Sequence, residues 1–427
     1  MQTTSTLPAM VRARQTFSRP HVEDIGAAVR VELDRVFPSG SLKKGAEIGV
    51  TVGSRGITNI AEITRAVVDD LKRRDASPFV IPAMGSHGGG EGEAQRNLIA
   101  HYGVTEESMG APIRHSMETR RLGTTDNGVE TFIAEAAWNS DGILLLNRIK
   151  PHTDFKGRIE SGLCKICAIG LGKYDGAQEY HTHIFSIGLG AAICAVAEKI
   201  LETGKIVGGL GILENGYHET ARLAGVTLDR FIEQEEKLLE ESRGLMPSLP
   251  FKEIDLLICD RMGKNISGAG LDTNITGRSV NGYIQGIPWC EGMPGIYRIF
   301  VRDLSEESDG NAVGMGMVDF STQRFADKIN SRVTYINSVT ACTPGNARMP
   351  LIFKTDSEAI EAALKSCPRR ESGPIVVYVR DTLELEDMFL SEACVELLAE
   401  REGIEILGEP GALPIDPEGN IISSLGH

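Results

Sequence analysis

From about residue 46 onward, short apolar runs alternate with amphipathic stretches. AEIGVTVGSRG reads as a strand ending in a glycine turn, and ITNIAEITRAVVDDLKRRD as the helix that follows it. SPFVIPAMGSHGGG repeats the passage from strand to glycine loop, with a helix over EGEAQRNLIAHYG. DGILLLNRIKPH is a further buried strand that carries its polar residues at the C-terminal end. Such alternation predicts a mostly parallel sheet, and sheets of that kind bind ligands beyond the C-terminal ends of their strands.

LDRFIEQEEKLLEESRGLMPSLP is a charged helix running into a Gly/Pro break, after which KEIDLLICDRMGKN starts a new strand and loop. The second half continues with IYRIFVRD, VTYINSVTA, a helix over DSEAIEAALKS, a strand over PIVVYVRD and a helix over MFLSEACVELLAERE. The expected boundary lies near residue 248. It gives two α/β domains with mainly parallel sheets, residues 1–248 and 249–427. No short-period repeat or low-complexity tract interrupts the pattern.

Composition narrows the partners. Of 427 residues, 41% are hydrophobic and 24% charged, as in ordinary globular proteins, and the formal net charge is −15. That charge argues against nucleic acid and against anionic membranes, both of which need clustered cations. The most apolar run, IFSIGLGAAICAVAEKI, is broken by glycine and ends in charge, short of the roughly 20 apolar residues of a membrane span. The first residues lack the apolar core of a secretory signal. The eight cysteines are scattered, which suggests reduced thiols and a cytoplasmic setting.

Candidate chemistry concentrates in NRIKPHTDFKGRIESGLCKICAIGLGKYDGAQEYHTH, residues 147–183. Cys164 and Cys167 have thioredoxin spacing without the compact βαβ context, and a zinc site would need a second ligand pair. They read as small buried hydrophobes. Four histidines, His87, His152, His181 and His183, are expected near strand-to-loop junctions beside glycines, with Lys165 among them, which points to a shared site. GSHGGGEG, with Gly85, Ser86 and Gly88, could form a nest of backbone N–H groups before a helix, although it fits neither the Walker nor the dinucleotide pattern.

At these residues the sequence resembles the nickel-pincer lactate racemase family. Gly85-Ser86-His87 matches the family's strand-end histidine motif, and Pro151-His152 matches the later Pro-His. Lys165, after Gly162, matches the lysine that anchors the cofactor, and His181, sixteen residues on, matches the nickel-ligating histidine. The resemblance spans roughly residues 45 to 190. Of the family's Asp-Asp-x-Thr-Arg-Pro segment only Arg55 persists, within Thr51 to Gly56. Leu271-Asp272-x-Asn274 is similar to a segment of the family's second domain, whose following Gln and Lys fall here on Gly277 and Val280.

The resemblance implies a racemase or epimerase acting on a small-molecule 2-hydroxy acid or sugar acid, by proton-coupled hydride transfer. It further implies a nickel-pincer nucleotide (pyridinium-3,5-bisthiocarboxylic acid mononucleotide with nickel), and cofactor-biosynthesis proteins as partners. His87 and His152 would be the catalytic pair, and Lys165 the covalent anchor beside Gly85, Ser86 and Gly88. His181 would ligate the metal, and Arg55, Asp272 and Asn274 would contact substrate. The active site is expected in the interdomain cleft, with residues 249–427 closing over the substrate. Two other readings stay open: a dehydratase or hydrolase using His152, His181 and His183 around zinc or iron, and a thiol-redox or binding protein built on the cysteine pair.

Overall fold

The computed structural model describes residues 7–54, 56–280, 286–398 and 401–425. The chain forms an α/β protein of two compact units, each holding a mixed, mainly parallel sheet. One unit comprises residues 18–246. The other joins residues 1–17 to residues 247–427. This corrects the expected domain of residues 1–248 at its beginning, because the first strand, β1 (Met10–Gln15), pairs with strands near the C-terminus.

In the unit of residues 18–246, β2 (Glu47–Val52), β3 (Ser77–Pro82), β6 (Gly142–Arg148), β7 (Ile206–Glu214) and β8 (Thr220–Val226) form one sheet. The strand order is β3-β2-β6-β7-β8, parallel except for the last pair. A separate hairpin, β4 (Thr119–Thr124) with β5 (Glu130–Ala134), lies between β3 and β6 in sequence. The run ILLL in β6 is apolar without alternation because both of its faces are buried. Ile143 and Leu145 join one core with the helices Leu189–Glu202 and Phe231–Leu245. Leu144 and Leu146 join the other, with Ile25–Val36 and Ile60–Arg73.

The second unit holds β9 (Glu253–Met262), β10 (Gly295–Leu304), β11 (Phe320–Thr322), β12 (Leu351–Phe353), β13 (Val376–Val379), β14 (Asp387–Ser391) and β15 (Ile404–Gly411). Together with β1 they form an eight-stranded sheet, ordered β12-β11-β10-β9-β13-β14-β1-β15. The five strands from β12 to β13 are parallel, and β14, β1 and β15 add antiparallel. Two stretches refine the sequence reading. VTYINSVTA lies in the helix Ser331–Thr340, capped by the Asn330 side chain, with Thr334 and Ser338 buried one turn apart. MFLSEACVELLAERE is divided: its first residues complete β14 and the helix begins only at Glu392.

Candidate functional site in the unit of residues 18–246

The strand order reverses beside β2: the chain goes from β2 to β3 on one side, and β6 lies on the other. A reversal of this kind leaves a crevice beyond the strand ends. Here β2 and β6 pair only from Ile48–Gly142 to Val50–Leu144, so the ladder between them stops before both strands end. At the next position the Thr51 hydroxyl replaces the ladder, donating to Leu146 O (3.2 Å) and accepting from Leu146 N (2.8 Å). The chain leaving β2 carries Gly53 and Ser54, and the chain leaving β6 carries Asn147 and then His152.

His87 stands on the loop after β3 and is exposed. Its Nδ1 hydrogen-bonds the Ser54 hydroxyl, and Ser54 O accepts from the Tyr102 hydroxyl at 3.0 Å. The loop requires glycine at Gly85 (φ 61°), where a Cβ would stand 3.0 Å from Ile169 and 3.3 Å from Ala177. Gly88 is also left-handed (φ 65°), and Ser86 is half-buried. Beneath them the buried Gln95 side chain donates to Gly85 O (2.9 Å) and His87 O (3.0 Å).

His152 occupies the turn after β6. Its ring stacks on Phe155, with centroids 4.4 Å apart, and its Nδ1 accepts the Asp154 backbone N–H at 2.9 Å. Lys165 ends a short helical turn, Leu163–Lys165, and its Nζ lies 5.9 Å from the Phe155 ring centroid. A π-helical stretch, Ile166–Gly170, follows and leads to the helix Lys173–Thr182; π turns recur at functional sites. Asn147 Nδ2 holds Gly162 O at 2.9 Å at the start of this segment, and the buried Glu235 takes the Cys164 N–H at 2.8 Å. Burial pushes the Glu235 carboxyl up to about 7. Under the Gly85 loop, buried Lys173 donates to Pro82 O at 2.7 Å, and burial lowers its ammonium to about 8.

His181 and His183 do not lie at strand ends, as the sequence reading expected. His181 is in the last turn of the helix Lys173–Thr182, and its Nδ1 is 2.5 Å from Ala177 O. A carbonyl can only accept, so Nδ1 carries the proton and the neutral ring keeps its lone pair on Nε2. That is the orientation a metal-ligating histidine needs. His183 turns to Glu179, with Nε2 3.0 Å from Oε1. Among the described residues, no group of three His, Cys, Asp or Glu side chains is placed to hold a metal ion by itself.

Cys164 and Cys167 are both free and buried, and burial pushes each thiol well above its ordinary range, with Glu235 adding to the rise. Neither has the ionised character of a redox or zinc-binding pair. Asp272 and Asn274 belong to the other unit. There the buried Asp272 carboxylate caps the turn Thr273–Thr276, accepting from Asn274 N (2.9 Å) and Asn274 Nδ2 (2.8 Å). Arg55 lies outside the described residues.

Ser54, Gln95, Asn147, Glu160 and Glu235 were not singled out by the sequence. Each is an ordinary polar residue in its local pattern, and only the partner the fold gives it sets it apart: the His87 ring for Ser54, and backbone groups for the others. Among the described residues, no helix is long and apolar enough to cross a membrane.

No family model and no curated protein matches the chain. A search of solved structures finds the lactate racemase apoprotein from Thermoanaerobacterium thermosaccharolyticum, with 13% sequence identity and a TM-score of 0.48, covering 88% of this chain and 90% of that one.

Proposed function

We propose that this chain is a racemase or epimerase of a 2-hydroxy acid or sugar acid, working with a covalently held nickel-pincer nucleotide. The observation that carries the reading is a packing contact beyond the C-terminal end of β3. The loop bearing His87 rests through Gly85 on Ile169 and Ala177, which lie between Lys165 and His181 on the segment that bears both. Two motifs of the resemblance, the His87 loop and the segment from Lys165 to His181, are thus carried by neighbouring elements.

The residues fit such a group. In its neutral form His181 presents a lone pair on Nε2, because Ala177 O holds its other nitrogen. A single protein ligand suits a cofactor that brings its own sulfur donors. Lys165 would be the anchor, and the Gly85 loop with Ser86 and Gly88 would lie against the nucleotide. When bound, this group supplies the acceptor and donor for the hydrogen on the substrate carbon, chemistry that no side chain provides.

The chain's own residues do the rest. His87 and His152 would attend the substrate hydroxyl, since a neutral imidazole can take a proton on one nitrogen or offer an N–H from the other. Arg55, next to Ser54 in the chain, offers a planar guanidinium for the carboxylate that 2-hydroxy acids and sugar acids share. The zinc or iron hydrolase reading has less support, because His183 faces Glu179 and the Nδ1 of His152 is taken by a backbone amide.

The test is nickel content and intact mass of protein made in a host that produces the cofactor. Nickel near one atom per chain and an adduct on the Lys165 peptide are expected, with most nickel lost in His181→Ala. Stoichiometric zinc in both proteins and an unmodified Lys165 would refute the proposal.

A further inference from the structure

The two histidines assigned to the proton are held by different kinds of partner. His87 Nδ1 meets the Ser54 hydroxyl, which can either donate or accept. That ring can therefore gain or lose a proton on Nδ1 and keep its bond by rotating one hydroxyl. His152 Nδ1 meets the Asp154 backbone N–H at 2.9 Å, and an amide can only donate. A proton placed on that nitrogen would point at another N–H, so the bond survives only while Nδ1 keeps its lone pair. The neutral His152 ring then carries its proton on Nε2.

This arrangement is built into the loop. Lys150 and Ser161 exchange backbone hydrogen bonds of 3.0 and 3.2 Å, closing residues 151–160 into a loop. Inside it, fully buried Glu160 accepts from His152 N (2.5 Å), Lys156 Nζ (3.3 Å) and Arg243 Nη2 (2.7 Å). Lys156 Nζ also donates to His152 O at 2.9 Å, so the backbone of His152 is gripped on both sides. Phe155 stacks on the ring at an interplanar angle of 28° and limits its rotation. A carboxylate buried between two cations is a costly feature to keep without a strict geometric demand.

We infer that the two histidines are unequal: His87 exchanges the proton, whereas His152 is held neutral as a hydrogen-bond donor through Nε2, with Glu160 as the positioning residue. Resting on the racemase reading, this means that the substrate hand presented to His87 reacts from the resting ring states. The opposite hand must first wait for the Asp154 N–H to leave Nδ1. In that resting state His152 polarises the substrate oxygen as a neutral imidazole and does not act as its base.

The experiment is a long-range proton–nitrogen NMR correlation on the full chain, made without cofactor and labelled with ¹⁵N-histidine, at neutral pH. His87→Gln and His152→Gln assign the two rings. Nδ1 of His152 should resonate as an unprotonated nitrogen and Nε2 as a protonated one, while both nitrogens of His87 should lie between the two limits. A protonated Nδ1 on His152, or averaged nitrogens on both rings, would overturn the inference. In Glu160→Gln, His152 should move to averaged values; an unchanged His152 pattern in a folded Glu160→Gln would remove Glu160 from its role. The wild-type spectrum decides the main point even if that variant does not fold. It also separates the two proposals, because protein that takes up no nickel would still show the His152 tautomer.

Discussion

Glu235 gives a direct test of how the Lys165 segment is seated. Its Oε2 takes the Cys164 N–H at 2.8 Å, and its Oε1 has no hydrogen-bond partner among the described residues. A Cβ at Gly162 would stand 2.0 Å from that Oε1, so the carboxyl fills the space left by the glycine. Burial raises the group from 4.5 to about 7. Ionising it in the folded protein at pH 8 therefore costs on the order of 3 kcal/mol relative to the unfolded chain. Between pH 4.5 and 7 the folded form holds a proton that the unfolded form has released. Stability consequently falls as pH rises through that window, and the whole penalty is present above it.

Glutamine cannot ionise and keeps an oxygen for Cys164 N, but it leaves an amide hydrogen unpaired at about 1–3 kcal/mol. Glu235→Gln should thus gain about 1–2 kcal/mol at pH 8 relative to wild type. Near pH 4.5 it should lose that advantage or become the less stable form. Urea-induced exposure of Cys164 and Cys167, followed by thiol labelling at several pH values, reads the transition locally, since both thiols are buried beside Glu235. Equal pH slopes for wild type and variant between pH 4.5 and 7 would refute the reasoning.

Lys173 should show the opposite sign. With its ammonium lowered from 10.5 to about 8, wild-type stability should rise with pH between those values, and Lys173→Met should be flat there in urea melts. Gln95→Leu removes both donors under the His87 loop and should speed amide hydrogen exchange across residues 85–91 by roughly five- to thirtyfold, as expected for about 1–2 kcal/mol lost with two hydrogen bonds. Gly85→Ala forces a left-handed alanine with its Cβ 3.0 Å from Ile169 and should lower unfolding free energy by about 1–2 kcal/mol in urea titration. Arg302→Met removes the guanidinium shared by Asp260 and Asp356 while leaving Arg324 on Asp356 and the Tyr378 and Ser423 hydroxyls on Asp260, and should destabilise the unit containing β9 and β10 by about 1.5–3 kcal/mol, measured by the same titration.

Several features of the site were legible because they are local. The glycine of Gly85-Ser86-His87 sits where the backbone must turn left-handed, and Pro151-His152 follows a strand buried on both faces; each leaves a mark on a short stretch of chain. Lys165 and His181 share one helical segment, although the π turn between them and the helical setting of His181 were not readable from glycine spacing. The protonation preferences of the rings were out of reach. They depend on Ala177 O, Asp154 N and the Ser54 hydroxyl, and sequence does not reveal which nitrogen each one meets.

By itself the sequence determined the elements whose cause is patterned or continuous burial: β2, β3, β6 and the helices Ile60–Arg73 and Gly92–His101, and β9, β10 and β13 in the second half. Only the tertiary structure decided which strands lie side by side. Met10–Gln15 is a short strand whose partners, Asp387–Ser391 and Ile404–Gly411, lie nearly the whole chain away. Nothing in six residues specifies such pairing, because backbone hydrogen bonds are the same for any sequence and the choice is made by the core that closes over them. The same holds for the buried clamp. Glu160 looks like a surface residue until a distant segment, carrying Arg243, folds against it and removes the water that would otherwise satisfy it.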